Sequence, residues 1–166
     1  MNPRLLFAAP ALACAGLLFY GYYLQYFESQ DPCPLCLVQR GLYFLVLAVF
    51  AIAALHGPGA RGARIYPSLG FFFALCGLGV AGRQVWLQHL PADQVPACGP
   101  DLYFMLGNLP FGRAMEKLFM GSGQCAEVHW KFLGLSIAEW SLAWFAALAL
   151  YALWLALRKG AAVQSS

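Results

Sequence analysis

Charged side chains are scarce in this chain. Only 10% of its 166 residues are Asp, Glu, Lys or Arg, whereas 61% are hydrophobic. Because so few charges cannot cover the surface of a globule of this size, an ordinary soluble domain is excluded. The mean hydropathy of +0.65 is instead typical of a chain whose solvent is partly lipid. We therefore expect the lipid bilayer as a partner, and no nucleic acid.

Long hydrophobic runs occupy most of the sequence. Four of them approach the ~20 residues that are needed to cross the hydrocarbon core of a bilayer. They predict spans at about 5–27, 37–55, 65–87 and 140–157. All four are rich in Leu, Ala and Phe and lack alternation with polar residues, which is typical of helices that are hydrophobic on every side. The predicted fold class is an all-α integral membrane protein, a four-transmembrane-helix bundle forming one domain over residues 1–166.

The few charges are sorted by side. The seven acidic residues all fall within two segments, at about 28–36 and 91–139. The short loop between the second and third spans instead carries Arg61 and Arg64, while Arg4 and Arg158 lie near the chain ends. By the positive-inside rule, both termini are then cytoplasmic, and the two acidic segments are the outer loops.

Four of the six cysteines belong to the outer side. Cys14 and Cys76 lie within the first and third spans, where we expect them to pack between helices as small apolar residues. The other four, Cys33, Cys36, Cys98 and Cys125, lie in or beside the outer loops. An oxidising compartment on that side permits disulfides.

Cys33 and Cys36 form a Cys-x-x-Cys pair where the second helix begins. Pro34 is well tolerated in a first helical turn, so the motif is expected to straddle the helix N-terminus, where a thiolate is favoured. Arg40 follows on the same helical face, at the edge of the hydrocarbon, where an unpaired charge is costly and usually functional.

Plainer interpretations of these residues stay open. Arg40 could extend to the lipid head-groups, and the cysteine pair could be a structural disulfide or half of a zinc site completed by Cys98 and Cys125. Zinc fits poorly, because the second pair lacks close spacing or a histidine at ligand spacing. We expect no metal.

The second cysteine pair, Cys98 and Cys125, lies in the long outer loop and not at the start of a helix. Cys98 and Cys125 stand in sequence rich in Gly and Pro, for which we predict exposed, flexible backbone. A disulfide between them would close a mobile loop and be open to attack by an incoming thiolate, which favours exchange chemistry over bracing. The loop's apolar and aromatic residues predict interfacial helical segments at the membrane surface.

Several of these motifs together resemble one family. They are CPLC (33–36) followed by QRG (39–41), and SGQCAE (122–127) followed by WKFLGLS (130–136). With four spans and a second outer cysteine pair, they are similar to the disulfide bond formation protein DsbB family over essentially the whole chain.

The resemblance implies a function and a site. It implies a multi-pass thiol:quinone oxidoreductase of the bacterial inner membrane, which reoxidises a periplasmic, thioredoxin-like dithiol oxidase (DsbA-like) and passes the electrons to ubiquinone or menaquinone. The implied redox disulfides are Cys33–Cys36 and Cys98–Cys125. Cys98 is then attacked by the partner's thiolate, and Cys125 resolves the mixed disulfide and exchanges with Cys33.

Quinone-binding residues are also implied by the resemblance. Cys36 would hold the thiolate that interacts with the quinone, and Arg40 matches the family arginine beside the ring. His89 resembles a family histidine near the quinone, although its spacing from Arg83 differs from the family's. A plain interfacial histidine is the alternative.

Two other functions remain as alternatives. A vitamin K epoxide reductase-like quinone reductase also couples outer cysteines to a quinone, but there the quinone-proximal Cys-x-x-Cys comes after the loop pair, whereas here it comes first. A structural four-helix membrane subunit would use the disulfides only to brace its outer loop.

Overall fold

Four long helices dominate the computed structural model of the chain. The structure describes residues 3–28, 32–59, 61–91, 93–95, 123–128 and 130–158, together with 104, 107–110, 112–113 and 116–117. The elements are, in chain order, α1 (Pro3–Phe27), α2 (Pro34–His56), α3 (Gly62–Gln88), α4 (Gly123–Ala126), β1 (Lys131–Phe132), β2 (Leu135–Ser136) and α5 (Ile137–Leu157).

The long helices are built to cross a membrane. Within the described residues, α1, α2, α3 and α5 are long enough, and their most apolar stretches have mean hydropathies of 1.6 to 2.1. Helix α2 packs against α1 and α3, and α3 packs most extensively against α5. Large apolar side chains such as Phe19, Leu55 and Leu150 point outward, as expected where the solvent is lipid. The predicted four-helix membrane fold is confirmed.

The ends of α2 follow from local sequence. Cys33 caps the helix with an extended backbone, and Pro34 takes the first helical position, where its missing N–H costs nothing. At the other end, Gly57 adopts a left-handed conformation with φ +60° and donates its N–H to the carbonyl of Ala53. The cysteine motif therefore straddles the helix N-terminus, as the sequence predicts.

The half of the bundle that lies away from this motif is tightly packed. We call it the opposite end; it contains the beginnings of α1 and α3 and the ends of α2 and α5. Phe50 and Phe145 are fully buried in its core and extend it toward the middle of the bundle. A Cβ atom built on Gly70 would lie 2.5 Å from the Phe50 ring, so only glycine permits this approach of α3 to α2.

The other end, which we call the cysteine end, is closed partly by a small hairpin that the sequence did not predict. Strands β1 and β2 pair antiparallel, with Phe132 opposite Leu135. The intervening Leu133 and Gly134 have φ angles of 52° and 83°, which suit a tight two-residue turn. The predicted interfacial helical segments fall mostly on residues outside the described ranges.

The two cysteines within the spans behave differently from each other. Cys14 is fully buried in the helical core, as expected. The same expectation for Cys76 is wrong, because this residue is exposed on the outer face of α3. Since α3 is apolar on all sides, its sequence does not indicate which face meets the other helices.

Candidate active site

The Cys33-x-x-Cys36 motif places two sulfur atoms side by side at the N-terminus of α2. The backbone N–H of Cys36 donates a hydrogen bond to Cys33 Sγ at 3.3 Å, and the two Sγ atoms are 2.7 Å apart. Cys33 is buried, whereas Cys36 is partly exposed. The unpaired N–H groups and dipole of a helix N-terminus favour negative charge, so this position suits a thiolate.

Cys125 joins this pair from the long loop. Helix α4 packs on α3 and α2, and it buries Cys125 in a small cluster with Cys33, Leu35 and Leu87. The side chain of Cys125 hydrogen-bonds with that of Cys33. The expectation that Cys125 is exposed is therefore wrong, because the segment around it is helical and is covered by two spanning helices. Cys98 lies outside the described residues.

The surroundings of Cys33 affect its protonation. Its hydrogen bonds with Cys125 and Cys36, followed by its burial, raise the pKa of the Cys33 thiol well above the ordinary value. In the reduced protein, Cys33 therefore stays protonated at neutral pH. Cys33 is thus a poor nucleophile when reduced, and its side chain lies in the same buried cluster as Cys125.

Arg40 lies one turn beyond Cys36 and is held by α1. Its guanidinium donates hydrogen bonds to Gln25 Oε1 and, at 2.9 Å, to the Gly21 carbonyl. The guanidinium carbon also lies 4.9 Å from the centre of the Tyr22 ring. Each of these contacts is with a neutral group, so none of them cancels the positive charge. Arg40 is thus fixed in position and not simply extended toward head-groups.

Cys36 and Arg40 share the wall of a cavity of about 510 Å³. A volume of this size accommodates a small organic ligand. The wall is formed mainly by apolar and aromatic side chains from α1, α2, the hairpin and α5, including Leu17, Leu24, Trp130, Ile137 and Trp144. Its polar contributions include the Cys36 sulfur, the Arg40 guanidinium and the hydroxyls of Tyr43 and Ser141. An apolar cavity with few polar groups fits a flat, hydrophobic ring that carries polar oxygens.

Two buried amides, which the sequence motifs did not indicate as site residues, also line this cavity. Gln39 Nε2 donates to Gln84 Oε1 at 2.6 Å, and Gln84 Nε2 donates to Cys36 Sγ at 3.1 Å and Cys33 Sγ at 3.4 Å. Both side chains are only 4% exposed. An uncharged polar residue within an apolar span was the available signal, because burying an amide in hydrocarbon is costly unless it has partners.

His89 lies at the edge of this arrangement. It caps the C-terminus of α3, and its Nδ1 is 2.8 Å from the carbonyl oxygen of Val85. Its Nε2 lies 3.9 Å from Glu139 Oε1, and most of the side chain is exposed. Among the described residues that form the cavity wall, His89 does not appear. Its contact with Glu139 links the C-terminus of α3 to the N-terminus of α5.

The chain is similar to known disulfide bond formation proteins over most of its length. The family described as Disulfide bond formation protein DsbB matches residues 3–155 of the chain. A relative from Nitrosococcus oceani, named Disulfide bond formation protein B, is 47% identical over 154 residues, covering 93% of this chain and 91% of the relative. Proteins of the same name from Hahella chejuensis and Azoarcus sp. are 51% identical over 134 residues (81% of each chain) and 46% identical over 154 residues (93% and 92%).

Proposed function

Because the chain belongs to the DsbB family of disulfide bond formation proteins, we propose that this multi-pass membrane oxidoreductase is a thiol:quinone oxidoreductase. It takes two electrons from a DsbA-like dithiol oxidase and delivers them to a membrane quinone. The observation that carries this proposal is the position of the Cys33 and Cys36 sulfurs. On one side they meet Cys125 from the loop, and on the other they meet a cavity that also holds Arg40.

The first steps use thiol–disulfide exchange. A thiolate of the reduced partner attacks Cys98 in a Cys98–Cys125 disulfide, forming a mixed disulfide and releasing Cys125 as a thiolate. Cys125 then attacks Cys33 in the Cys33–Cys36 disulfide, and the electron pair of the broken bond goes to Cys36. The contact between Cys125 and Cys33 supports this choice of sulfur.

The next steps regenerate the disulfide between Cys98 and Cys125. The partner's second thiolate attacks its own half of the mixed disulfide and releases Cys98, and the partner leaves oxidised. Cys98 attacks Cys125 and releases Cys33, which takes up a proton because its raised pKa favours the thiol. One dithiol has been oxidised in the partner, and one disulfide, Cys33–Cys36, has been reduced.

The cavity suits a quinone as the final acceptor. Its apolar wall can exclude water, while Arg40 places a fixed positive charge where negative charge develops on Cys36 and on a quinone oxygen. A bound quinone supplies a two-electron, two-proton sink, which allows Cys33 and Cys36 to close again as a disulfide. The cavity wall does not distinguish ubiquinone from menaquinone.

We also place the protein in the bacterial inner membrane with both termini in the cytoplasm. Arg61 and Arg64 lie at the start of α3 and Arg158 follows α5, all at the opposite end of the bundle. Among the described acidic residues, Glu28 follows α1, Glu127 lines the cavity and Glu139 lies in the first turn of α5, all at the cysteine end. This distribution of charge supports an orientation in which the cysteines face the periplasm.

A turnover assay tests the proposed reaction. Purified protein in detergent is mixed with a reduced DsbA-like oxidase and a soluble quinone, and the quinone absorbance is followed over time. We expect catalytic consumption of quinone, which falls to the protein-free rate in Cys36→Ser because no disulfide can form at the cavity. Cys76→Ala, a matched cysteine on the outer face of α3, should keep its rate. Absence of consumption above the protein-free rate by the unmodified protein would refute the proposal.

A further inference from the structure

We propose that Gln84 is a further catalytic residue of this site, and that Gln39 is its positioning residue. The Gln84 amide donates hydrogen bonds to the sulfurs of Cys33 and Cys36 and stabilises the negative charge that reaches Cys36 when the disulfide opens. This inference rests on the proposed function, because it assigns a role within the same redox site.

The Gln84 side chain has the right donors in the right place. Its Nε2 carries two N–H groups, and it lies 3.1 Å from Cys36 Sγ and 3.4 Å from Cys33 Sγ. Sulfur in a thiol or disulfide is a weak acceptor, whereas hydrogen bonds to an ionised acceptor are roughly twice as strong as those between neutral groups. The contact therefore stabilises the thiolate more than it stabilises the disulfide.

Gln39 determines which end of the Gln84 amide faces the sulfurs. Gln39 Nε2 donates to Gln84 Oε1 at 2.6 Å. If the Gln84 amide turned by half a rotation, its NH2 group would face the NH2 group of Gln39, and its oxygen would face the sulfurs. With Gln39 as observed, the bond between the two amides would then be lost and a Cys36 thiolate would face an acceptor, so Gln39 favours the orientation in which Gln84 donates. Both amides are only 4% exposed, so bulk water has little access as a replacement partner.

The position of Gln84 beside Cys36 matches the direction of electron flow. When Cys125 attacks Cys33, the sulfur–sulfur bond to Cys36 breaks, and Cys36 Sγ receives the electron pair. Gln84 on α3 then donates to this sulfur within the membrane boundary, where water is scarce. Stabilising the reduced form of a dithiol makes its disulfide a stronger oxidant. Gln84 thus favours transfer of electrons from the loop cysteines to Cys33 and Cys36.

The reduction equilibrium of Cys33 and Cys36 tests this inference without quinone or partner. Full-length protein carrying Cys98→Ser and Cys125→Ser is equilibrated in quinone-free detergent with defined thiol–disulfide buffers, and its thiols are alkylated and counted. We expect Gln84→Leu to lower the equilibrium constant for reduction about tenfold, equivalent to about 30 mV for a two-electron couple. The thiolate absorbance of the reduced pair should also appear at higher pH.

A double-variant cycle separates this role from simple packing. Gln39→Leu should give a smaller decrease, and Gln39→Leu combined with Gln84→Leu should equal Gln84→Leu alone, because Gln39 acts only through Gln84. The combined variant also leaves neither amide buried without its partner, so it is the variant best able to fold. Gln88→Leu is the matched control, since Gln88 lies one turn further along α3 and accepts from Ser136. The reduction equilibrium of Cys33 and Cys36 should not change in this control variant.

Two results would overturn the inference. If the combined variant left the reduction equilibrium of Cys33 and Cys36 and the thiolate titration unchanged, Gln84 would not stabilise the thiolate. This would hold even if the unmodified protein still reduced quinone. Additive effects of the two substitutions would remove the positioning role of Gln39. Failure of quinone turnover in the unmodified protein, with the tenfold shift present, would instead count against the proposed function alone.

Discussion

The two ends of the bundle use the same four long helices and are filled in opposite ways. At the opposite end, aromatic rings such as Phe50 pack directly against the backbone of a neighbouring helix at Gly70. At the cysteine end, the helices leave a cavity of about 510 Å³, and amides, sulfurs and a guanidinium face it. Close packing at the opposite end fixes the positions of the helices. The cysteine end can therefore hold its polar groups at defined distances.

The cysteine end accommodates these polar groups by pairing them. Gln39 is bonded to Gln84, Arg40 to Gln25, and Tyr43 to Ser141. Within the part of the chain that the structure describes, no buried side-chain nitrogen or oxygen lacks a hydrogen-bond partner. Because an unpaired polar group in hydrocarbon is costly, pairing is what allows a functional site to exist at membrane depth.

Removing the positive charge of Arg40 at the cysteine end should have a large effect on activity and little effect on folding. In Arg40→Ala, quinone kcat/KM should fall on the order of tenfold to a hundredfold, the equivalent of losing one hydrogen bond to a charged group. The apparent melting temperature in detergent should change little. Quinone-dependent kinetics and thermal unfolding, measured on the same preparations, check this expectation.

A cation at the opposite end provides the control for Arg40. Arg61 caps α3 far from the cavity, so Arg61→Ala should leave quinone kinetics unchanged. If Arg40→Ala instead lowered the melting temperature and left the kinetics intact, Arg40 would be a structural anchor and not part of the quinone site.

Adding a side-chain carbon to the core of the opposite end should have the reverse effect. It should lower the stability of the protein without altering its catalytic activity. A Cβ at Gly70 would meet the Phe50 ring at 2.5 Å, and this ring is fully buried and cannot move aside. Gly70→Ala should therefore lower the free energy of unfolding by about 1–3 kcal/mol, as overpacked cores do. Turnover per folded molecule should stay the same.

Another glycine of α3 provides the matched control. A Cβ at Gly79 would have no atom within 4 Å, so Gly79→Ala should only gain the better helix propensity of alanine. Thermal unfolding of both variants distinguishes packing from propensity. Equal melting temperatures for Gly70→Ala and Gly79→Ala would contradict the claim that the opposite end is close-packed.

The sequence predicted the features that depend on composition and short spacing. Runs without charge identified the spans, and the intervals between Cys33, Cys36 and Arg40 identified one helical face that begins at a helix N-terminus. Both inferences need only the geometry of a single helix. Cys36 and Arg40 do share the cavity wall in the structure.

The features that depend on how helices rotate against each other could not be predicted. Gln39 and Gln84 are 45 positions apart, and they meet only because α2 and α3 turn particular faces toward each other. Helices that are apolar over most of their surface give little information about which faces meet, which is also why Cys76 was misplaced. The burial of Cys125 depends on contacts of α4 with α2 and α3 that local sequence does not specify.

The smallest expected effect concerns the protonation of Cys33 in the reduced protein. Its pKa is raised in the folded state, so its contribution to stability is complete below the ordinary thiol pKa of 9.0 and decreases as pH rises above it, because the unfolded chain then loses the proton more easily. At pH 9.0 the loss is only about 0.4 kcal/mol relative to neutral pH, and it grows by up to about 1.4 kcal/mol per further pH unit. Thermal unfolding of reduced protein between neutral and alkaline pH should show this decline, and Cys33→Ala should show less of it. An identical decline in both proteins would mean that Cys33 does not hold its proton more tightly than an ordinary thiol, and that the sulfur cluster does not influence protonation at the cysteine end.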